Sequence, residues 1–315
     1  MRAVVVSQWG GPEVLTETTI DRPEPGPTEV LVRVHAAGVN PVDWKTRASG
    51  ALIEWDAVPV PGWDVSGTVE AVGMGVTLFA PGDEVFGMPH FPKQAGAYAE
   101  YVTAPSRHFV RKPAALDHVA AAALPLAALT AWQALVDTAD VRPGQRVLVH
   151  AAAGGVGHLA VQIAKARGAY VIGTASAAKH DVLRELGADE LIDYRSADFA
   201  EVVRDVDVVL DTIGGDYGRR SLEVLRPGGH LVTIAGAEGF DAEAAGVRLS
   251  VLLVEPDRQG LIALAALAEE GALRPLIDTV FPLAEAAKAH ELGELGRTTG
   301  KIVLSVVPAE SAPTA

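Results

Sequence analysis

Apolar and polar positions alternate along Glu29-Val30-Leu31-Val32-Arg33-Val34-His35, the two-residue period of a strand with one buried face. Shorter strand-like runs recur at 68–72, 84–87 and 97–103, and Met1 leads straight into another at 2–6. Pro61-Gly62 and Pro81-Gly82-Asp83 punctuate them as turns. The chain up to residue 115 therefore predicts an antiparallel, barrel-like unit.

Beyond Leu116 the pattern changes. Residues 120–138 form an alanine-rich helical stretch, broken or kinked at Pro125. A regular alternation follows, with strands at 146–150, 170–173, 191–193, 206–210 and 231–234. Helices are expected between them at 158–168, 178–186 and 218–225, the first two closing on Gly168 and Gly187. Strands and helices in this order predict a parallel, doubly wound sheet. Helices at 261–269 and 284–292, a strand at 301–304 and a frayed tail at 308–315 complete the reading.

Composition narrows the function. Apolar residues make up 49% of the chain and charged residues 21%, ordinary values for a globular protein long enough to hold two cores. No apolar run approaches the ~18 residues of a membrane span. Met1 is followed by no charged-then-apolar leader, so a cytoplasmic location is expected. With no cysteine in the sequence, disulfides, catalytic thiols and thiolate metal sites are excluded. A net charge of -14 argues against nucleic-acid and anionic-membrane partners.

The strongest motif follows the strand at 146–150. There Ala151, Gly154 and Gly157 stand at the spacing of the dinucleotide fingerprint, with a strand before and a helix after. Small residues permit the tight turn, and the helix N-terminus offers free N–H groups to a pyrophosphate. An NAD site would carry an acid about 20 residues on. Here 171–180 contains none; Ser176 and Lys179, joined by Tyr194 and Arg195, suit a 2′-phosphate instead, which favours NADPH. Two further strand ends, with Thr212 and Ile213 in one and Ala235 and Gly236 in the other, lie where ligands bind in open α/β sheets.

These residues resemble those of the medium-chain dehydrogenase/reductase superfamily, in its zinc-independent quinone oxidoreductase (zeta-crystallin-like) branch. Further carriers of the resemblance are Trp9 to Leu15, Gly38-Val39-Asn40-Pro41-Val42-Asp43, Pro61 to Val69, Gly96 to Tyr101, Leu129 to Trp132 and Thr299 to Leu304. The resemblance implies a GroES-like domain formed by residues 1–119 and 258–315, with a Rossmann domain, 120–257, inserted between them. Zinc-dependent members place Cys where Asn40 stands and His where Trp63 stands, so no metal is expected. A homodimer is implied.

Carried over residue by residue, the resemblance puts Asn40 and Pro41 near the nicotinamide ribose and Thr130 near the adjacent phosphate. Gly154, Gly155 and Val156 meet the pyrophosphate, and Ser176, Lys179 and Tyr194 the 2′-phosphate. Leu253 and Val254 lie near the carboxamide, with Arg297 and Lys301 near the phosphates. The implied activity is hydride transfer from NADPH to a small electrophilic acceptor, a quinone or an α,β-unsaturated carbonyl. Alternatives are an enoyl or tailoring reductase acting on a larger carbonyl substrate, and a non-catalytic NADPH sensor. Around the acceptor, Asn40 and Lys45 are the candidate catalytic residues, and Asp43, Trp44 and Trp55 are expected to line the mouth.

Overall fold

The computed structural model describes residues 1–51, 55 and 58–307; the expected tail at 308–315 lies outside them. In chain order the elements are β1 (Arg2–Val6), β2 (Leu15–Thr19), β3 (Glu29–Val39), α1 (Pro41–Ser49), β4 (Asp64–Val72), β5 (Glu84–Gly87), β6 (Tyr101–Pro105) and β7 (Phe109–Arg111). Next come α2 (His118–Ala122), α3 (Pro125–Trp132), β8 (Arg146–Val149), α4 (Gly157–Ala166), β9 (Tyr170–Thr174), α5 (His180–Glu185), β10 (Glu190–Ile192) and α6 (Phe199–Val202). The remainder are β11 (Val206–Asp211), α7 (Asp216–Ser221), β12 (Leu225–Thr233), β13 (Arg248–Val251), α8 (Arg258–Glu269), β14 (Ile277–Pro282), α9 (Ala286–Glu294) and β15 (Lys301–Ser305).

The chain forms two compact units. The first comprises residues 1–126, 255–271 and 275–315; the second, residues 127–254 and 272–274. The first unit runs on to residue 126 because α2 packs on β3 and β4 and the amide of Leu126 donates to buried Asp64.

In the first unit β3 is the organising strand. Its first half pairs with β6 and its second half with β15, while β4 runs along the other edge. Register shifts at Leu31/Val32 and Val34/Ala36 let this long strand bend from one partner to the other. Its inward residues Val30, Val32 and Val34 join Val65, Val69, Tyr98 and Leu304 in the core. The run expected as a strand from residue 97 begins at Tyr101; Ala99 makes only an isolated bridge to Ala3.

In the second unit six parallel strands stand in the order β10-β9-β8-β11-β12-β13. Leu148, Ile172, Val209 and Leu231 from the sheet pack with Phe199 and Val203 in one core. The helix expected over 218–225 ends earlier, at Ser221, and β12 starts before Pro227-Gly228-Gly229, which it accommodates as an irregularity against β11. Pro125 opens α3 rather than kinking a single helix, and a π-helical turn at Gln133–Thr138 ends that stretch. Among the described residues no helix is long and apolar enough to cross a membrane.

Candidate active site

In the second unit the chain leaves β8 through a turn built for close backbone approach. Ala151 adopts φ 46°, a left-handed conformation that disfavours a side chain by roughly 1–2 kcal/mol. The amide of Ala151 donates to Thr174 Oγ1 and that of Ala152 to Thr174 O, which fastens the turn to β9. A Cβ on Gly157 would stand 2.3 Å from the Ala151 carbonyl oxygen, so only glycine lets α4 start there. The amides of Gly155 and Val156, just before the helix, have no acceptor among the described residues. They are the unsatisfied donors that every helix start carries.

Neighbouring strand ends are braced to this turn. Thr212 Oγ1 donates to His150 O at 2.9 Å. Asp211 Oδ1 accepts from the amides of Ile213 and Gly214, and Thr233 Oγ1 accepts from the amide of Ala235. Gly214 and Gly236 take positive φ, which keeps both turns tight. Beneath them His150 is fully buried, bonded to Ser221 and Thr174 and edge-on to Phe199 and Tyr217; burial lowers its pKa to about 4.

The expected 2′-phosphate residues sit at the same edge. The register Ile192↔Thr174 places Tyr194 and Ser176 each two residues beyond the last paired position on adjoining strands. Ser176 is buried and Tyr194 half exposed, and the short helical turn Ala177–Lys179 follows Ser176. Tyr194 and Arg195 also line a cleft of about 320 Å³ with Phe199, Tyr217 and Arg220; Ser176 and Lys179 are not in its wall. Thr130 is buried on α3; past β13, Leu253 is exposed and Val254 buried.

In the first unit a buried polar network surrounds Asn40, the residue that precedes α1. Asn40 Nδ2 donates to Asp64 Oδ2 at 2.8 Å, and Lys301 Nζ donates to Asn40 Oδ1. The Asn40 amide donates to Asp43 Oδ2 at 2.7 Å, as does the Tyr98 hydroxyl at 2.8 Å. Arg47 Nη1 lies 3.3 Å from His290 Nδ1, and His290 Nε2 3.2 Å from the Tyr98 oxygen. Arginine only donates, so Nδ1 accepts and Nε2 carries the proton that it gives to Tyr98. Glu294 accepts from Arg47 Nη2 at the solvent side.

Burial dominates the electrostatics here. It raises the Asp43 pKa to about 7, against the pull of the Asn40 amide and the Tyr98 hydroxyl. It lowers that of His290 to about 3, with Arg47 adding to the effect. Burial also pushes the Asp64 carboxyl up and the Lys301 ammonium down, while each favours the charged form of the other.

The other expected residues take the following positions. Lys301 directs its donors to Asn40, Asp64 and Val39 O, and at 3% exposure it has none left for a phosphate. Asp43 is sealed in the interior and lines no mouth. Trp44 is wedged between helices: a Cβ on Gly293 would lie 2.6 Å from its ring, and His290 meets it edge-on. Trp55 pairs with Trp9 at a ring separation of 5.3 Å. Lys45 is exposed on α1, as are Pro41 at its start and Arg297 after α9.

Sequence patterning missed Asp64, Tyr98, Arg47 and His290. One signal was available: in α9, His290 occupies the same buried face as Ala286, Ala289 and Gly293. The rest follow from contacts spanning 24 to 247 residues, which no local pattern encodes.

Two family models match, "Alcohol dehydrogenase GroES-like domain" over residues 26–114 and "Zinc-binding dehydrogenase" over residues 186–304. The chain is 35% identical to quinone oxidoreductase from Homo sapiens, over 96% of this chain and 97% of the human one. It belongs to the quinone oxidoreductase-like family of the medium-chain dehydrogenase/reductase superfamily. Quinone oxidoreductase from Coxiella burnetii has a similar structure, with TM-score 0.89 and 38% identity over 98% of this chain and 99% of that one. The Escherichia coli quinone oxidoreductase, solved in complex with NADPH, gives 0.86 and 29% over 97% and 100%. This member of the family has a GroES-like unit and a six-stranded parallel Rossmann sheet.

The name of the second family model implies zinc, and the residues here do not fit that ion. Asn40 is committed to Asp64 and Lys301, and Trp63 is fully buried with its Nε1 donating to Lys93 O at 2.7 Å. Neither indole nor carboxamide nitrogen is a zinc donor, and the sequence has no thiolate to replace them.

Proposed function

We propose that this chain is a zinc-independent reductase that uses NADPH to deliver a hydride to a quinone or an α,β-unsaturated carbonyl. The observation that carries the reading is the turn between β8 and α4. Its strained Ala151, its Gly157 with no room for a side chain, and the two unengaged amides of Gly155 and Val156 suit a pyrophosphate. NADPH supplies the hydride when bound, and the E. coli relative solved with NADPH supports that cofactor.

Each part of the dinucleotide has its residues in this reading. Gly154, Gly155 and Val156 hold the pyrophosphate, with Thr130 and Arg297 at the phosphates. Ser176, Lys179 and Tyr194 take the 2′-phosphate, since no acid at the end of β9 selects a free ribose hydroxyl. Thr212, Ile213, Ala235 and Gly236 form the walls, Leu253 and Val254 meet the carboxamide, and Asn40 meets the nicotinamide ribose behind Pro41. An acceptor that is already electrophilic needs orientation and a dry, preorganised setting more than a Lewis acid. The completing proton comes from solvent. A homodimer forms through β13, the edge strand whose Val251 is 62% exposed.

The test is NADPH consumption by the purified protein with a panel of quinones and enones. Turnover on at least one of them supports the reading. Binding of NADPH without turnover on any acceptor makes the chain a sensor.

A further inference from the structure

Two buried charges hold the Asn40 carboxamide in a single orientation. Lys301 Nζ donates to Oδ1, and Nδ2 donates to Asp64 Oδ2 at 2.8 Å. Asp64 is 0% exposed and Lys301 3%, so neither charge is shared with water. An ammonium only donates and a carboxylate only accepts. Turning the amide over would set N–H against ammonium and carbonyl against carboxylate in a low-dielectric interior, where both contacts repel strongly. The Asn40 Oδ1 also faces the Asp43 amide in the capping box at the start of α1, so the fixed amide keeps one Nδ2 hydrogen without a partner among the described residues.

The main chain at this residue is fixed as well. Asp43 Oδ2 takes the Asn40 amide proton at 2.7 Å, and Tyr98 anchors Asp43 from the far side. Lys301 also grips Val39 O at 2.9 Å, one residue upstream, and Asp64 Oδ1 takes the Leu126 amide at 2.7 Å. A buried ion pair is a weak source of stability compared with well-packed apolar side chains. Its service to Asn40 is therefore orientation rather than cohesion.

We infer that Lys301 and Asp64 are positioning residues, which present the free Nδ2 donor of Asn40 to the dinucleotide in one fixed arrangement. The inference rests on the reading above that Asn40 touches the cofactor. It adds that this contact depends on two residues that do not themselves touch it.

Three variants of the full chain separate these claims: Asn40→Ala, the pair Asp64→Asn with Lys301→Gln, and the triple combination. The pair removes both charges at once, so no uncompensated charge is buried. NADPH affinity is read from tryptophan fluorescence, and cooperative melting verifies the fold. Asn40→Ala and the pair should each weaken NADPH binding about 10- to 100-fold, the range for an interfacial hydrogen bond lost or misdirected. The triple variant should match Asn40→Ala within about twofold, because positioning has no effect once its object is gone. Native binding by the pair variant, or losses that multiply in the triple, would overturn the inference while leaving the Asn40 reading intact. Native binding by Asn40→Ala would overturn that reading and the inference with it. If the pair variant does not fold, Asp64→Glu keeps both charges and shifts only the acceptor. It should weaken NADPH about fivefold or more, and native affinity there would equally overturn the inference.

Discussion

Replacing Asp43 with asparagine should remove a pH dependence of stability that the wild-type chain carries. Asp43 is fully buried, and its folded pKa of about 7 lies well above that of an exposed carboxyl. The folded state therefore binds this proton more tightly than the unfolded chain does. The resulting stability is fully present below the unfolded pKa and is lost as pH rises through about 7. Between about pH 5 and about pH 8.5 the loss covers roughly two pH units below the folded pKa, or about 2–3 kcal/mol at about 1.36 kcal/mol per unit.

Asparagine keeps the geometry. Its Oδ1 can accept from the Asn40 amide and the Tyr98 hydroxyl, as Asp43 Oδ2 does, and its Nδ2 replaces an oxygen that has no partner. The assay is urea unfolding of both proteins at the two pH values, since the difference between them cancels every other titrating group. The Asp43→Asn variant should be close to wild type at about pH 5 and more stable than wild type by about 2 kcal/mol at about pH 8.5. An identical difference at both pH values would refute the reasoning, because it would mean that Asp43 titrates alike in folded and unfolded chains.

Gly157→Ala sets a methyl 2.3 Å from the Ala151 oxygen, so α4 must shift; about 1–3 kcal/mol of stability and most NADPH affinity should be lost, as read by thermal melting and fluorescence titration. Lys45→Ala should leave kcat/KM unchanged within about twofold, because Lys45 lies on the solvent face of α1; a larger loss in steady-state kinetics returns it to the mechanism. Val251→Asp on the edge of β13 should convert a dimer to monomers in sedimentation velocity without lowering the melting temperature of the monomer.

The second unit was the more legible because its central strands β8, β9 and β11 are buried on both faces and its helices α4 and α5 are followed by Gly168 and Gly187. The turn Ala151 to Gly157 was readable for the same reason: tight backbone geometry restricts the residues that can stand there, so composition betrays conformation. The first unit was less so. β2 has four exposed residues in five and exists only by pairing with β1, and β14 alternates without a buried face. The network at Asn40 was hidden more deeply. Asp43, Asp64, Tyr98, His290 and Lys301 are ordinary residues until β4, α9 and β15 converge on α1. Lys301 shows the consequence: a conspicuous cation in a C-terminal motif reads as a phosphate ligand, whereas burial turns it toward Asn40 and Asp64.

The central claim is metal-free hydride transfer from NADPH, and the most direct test is kcat/KM for NADPH and for NADH on one reducible quinone, before and after exhaustive dialysis against a chelator. The account predicts a preference for NADPH of about tenfold or more, undiminished by chelation. Equal use of the two cofactors would contradict the roles given to Ser176, Lys179 and Tyr194, and loss of activity on chelation would contradict the account as a whole.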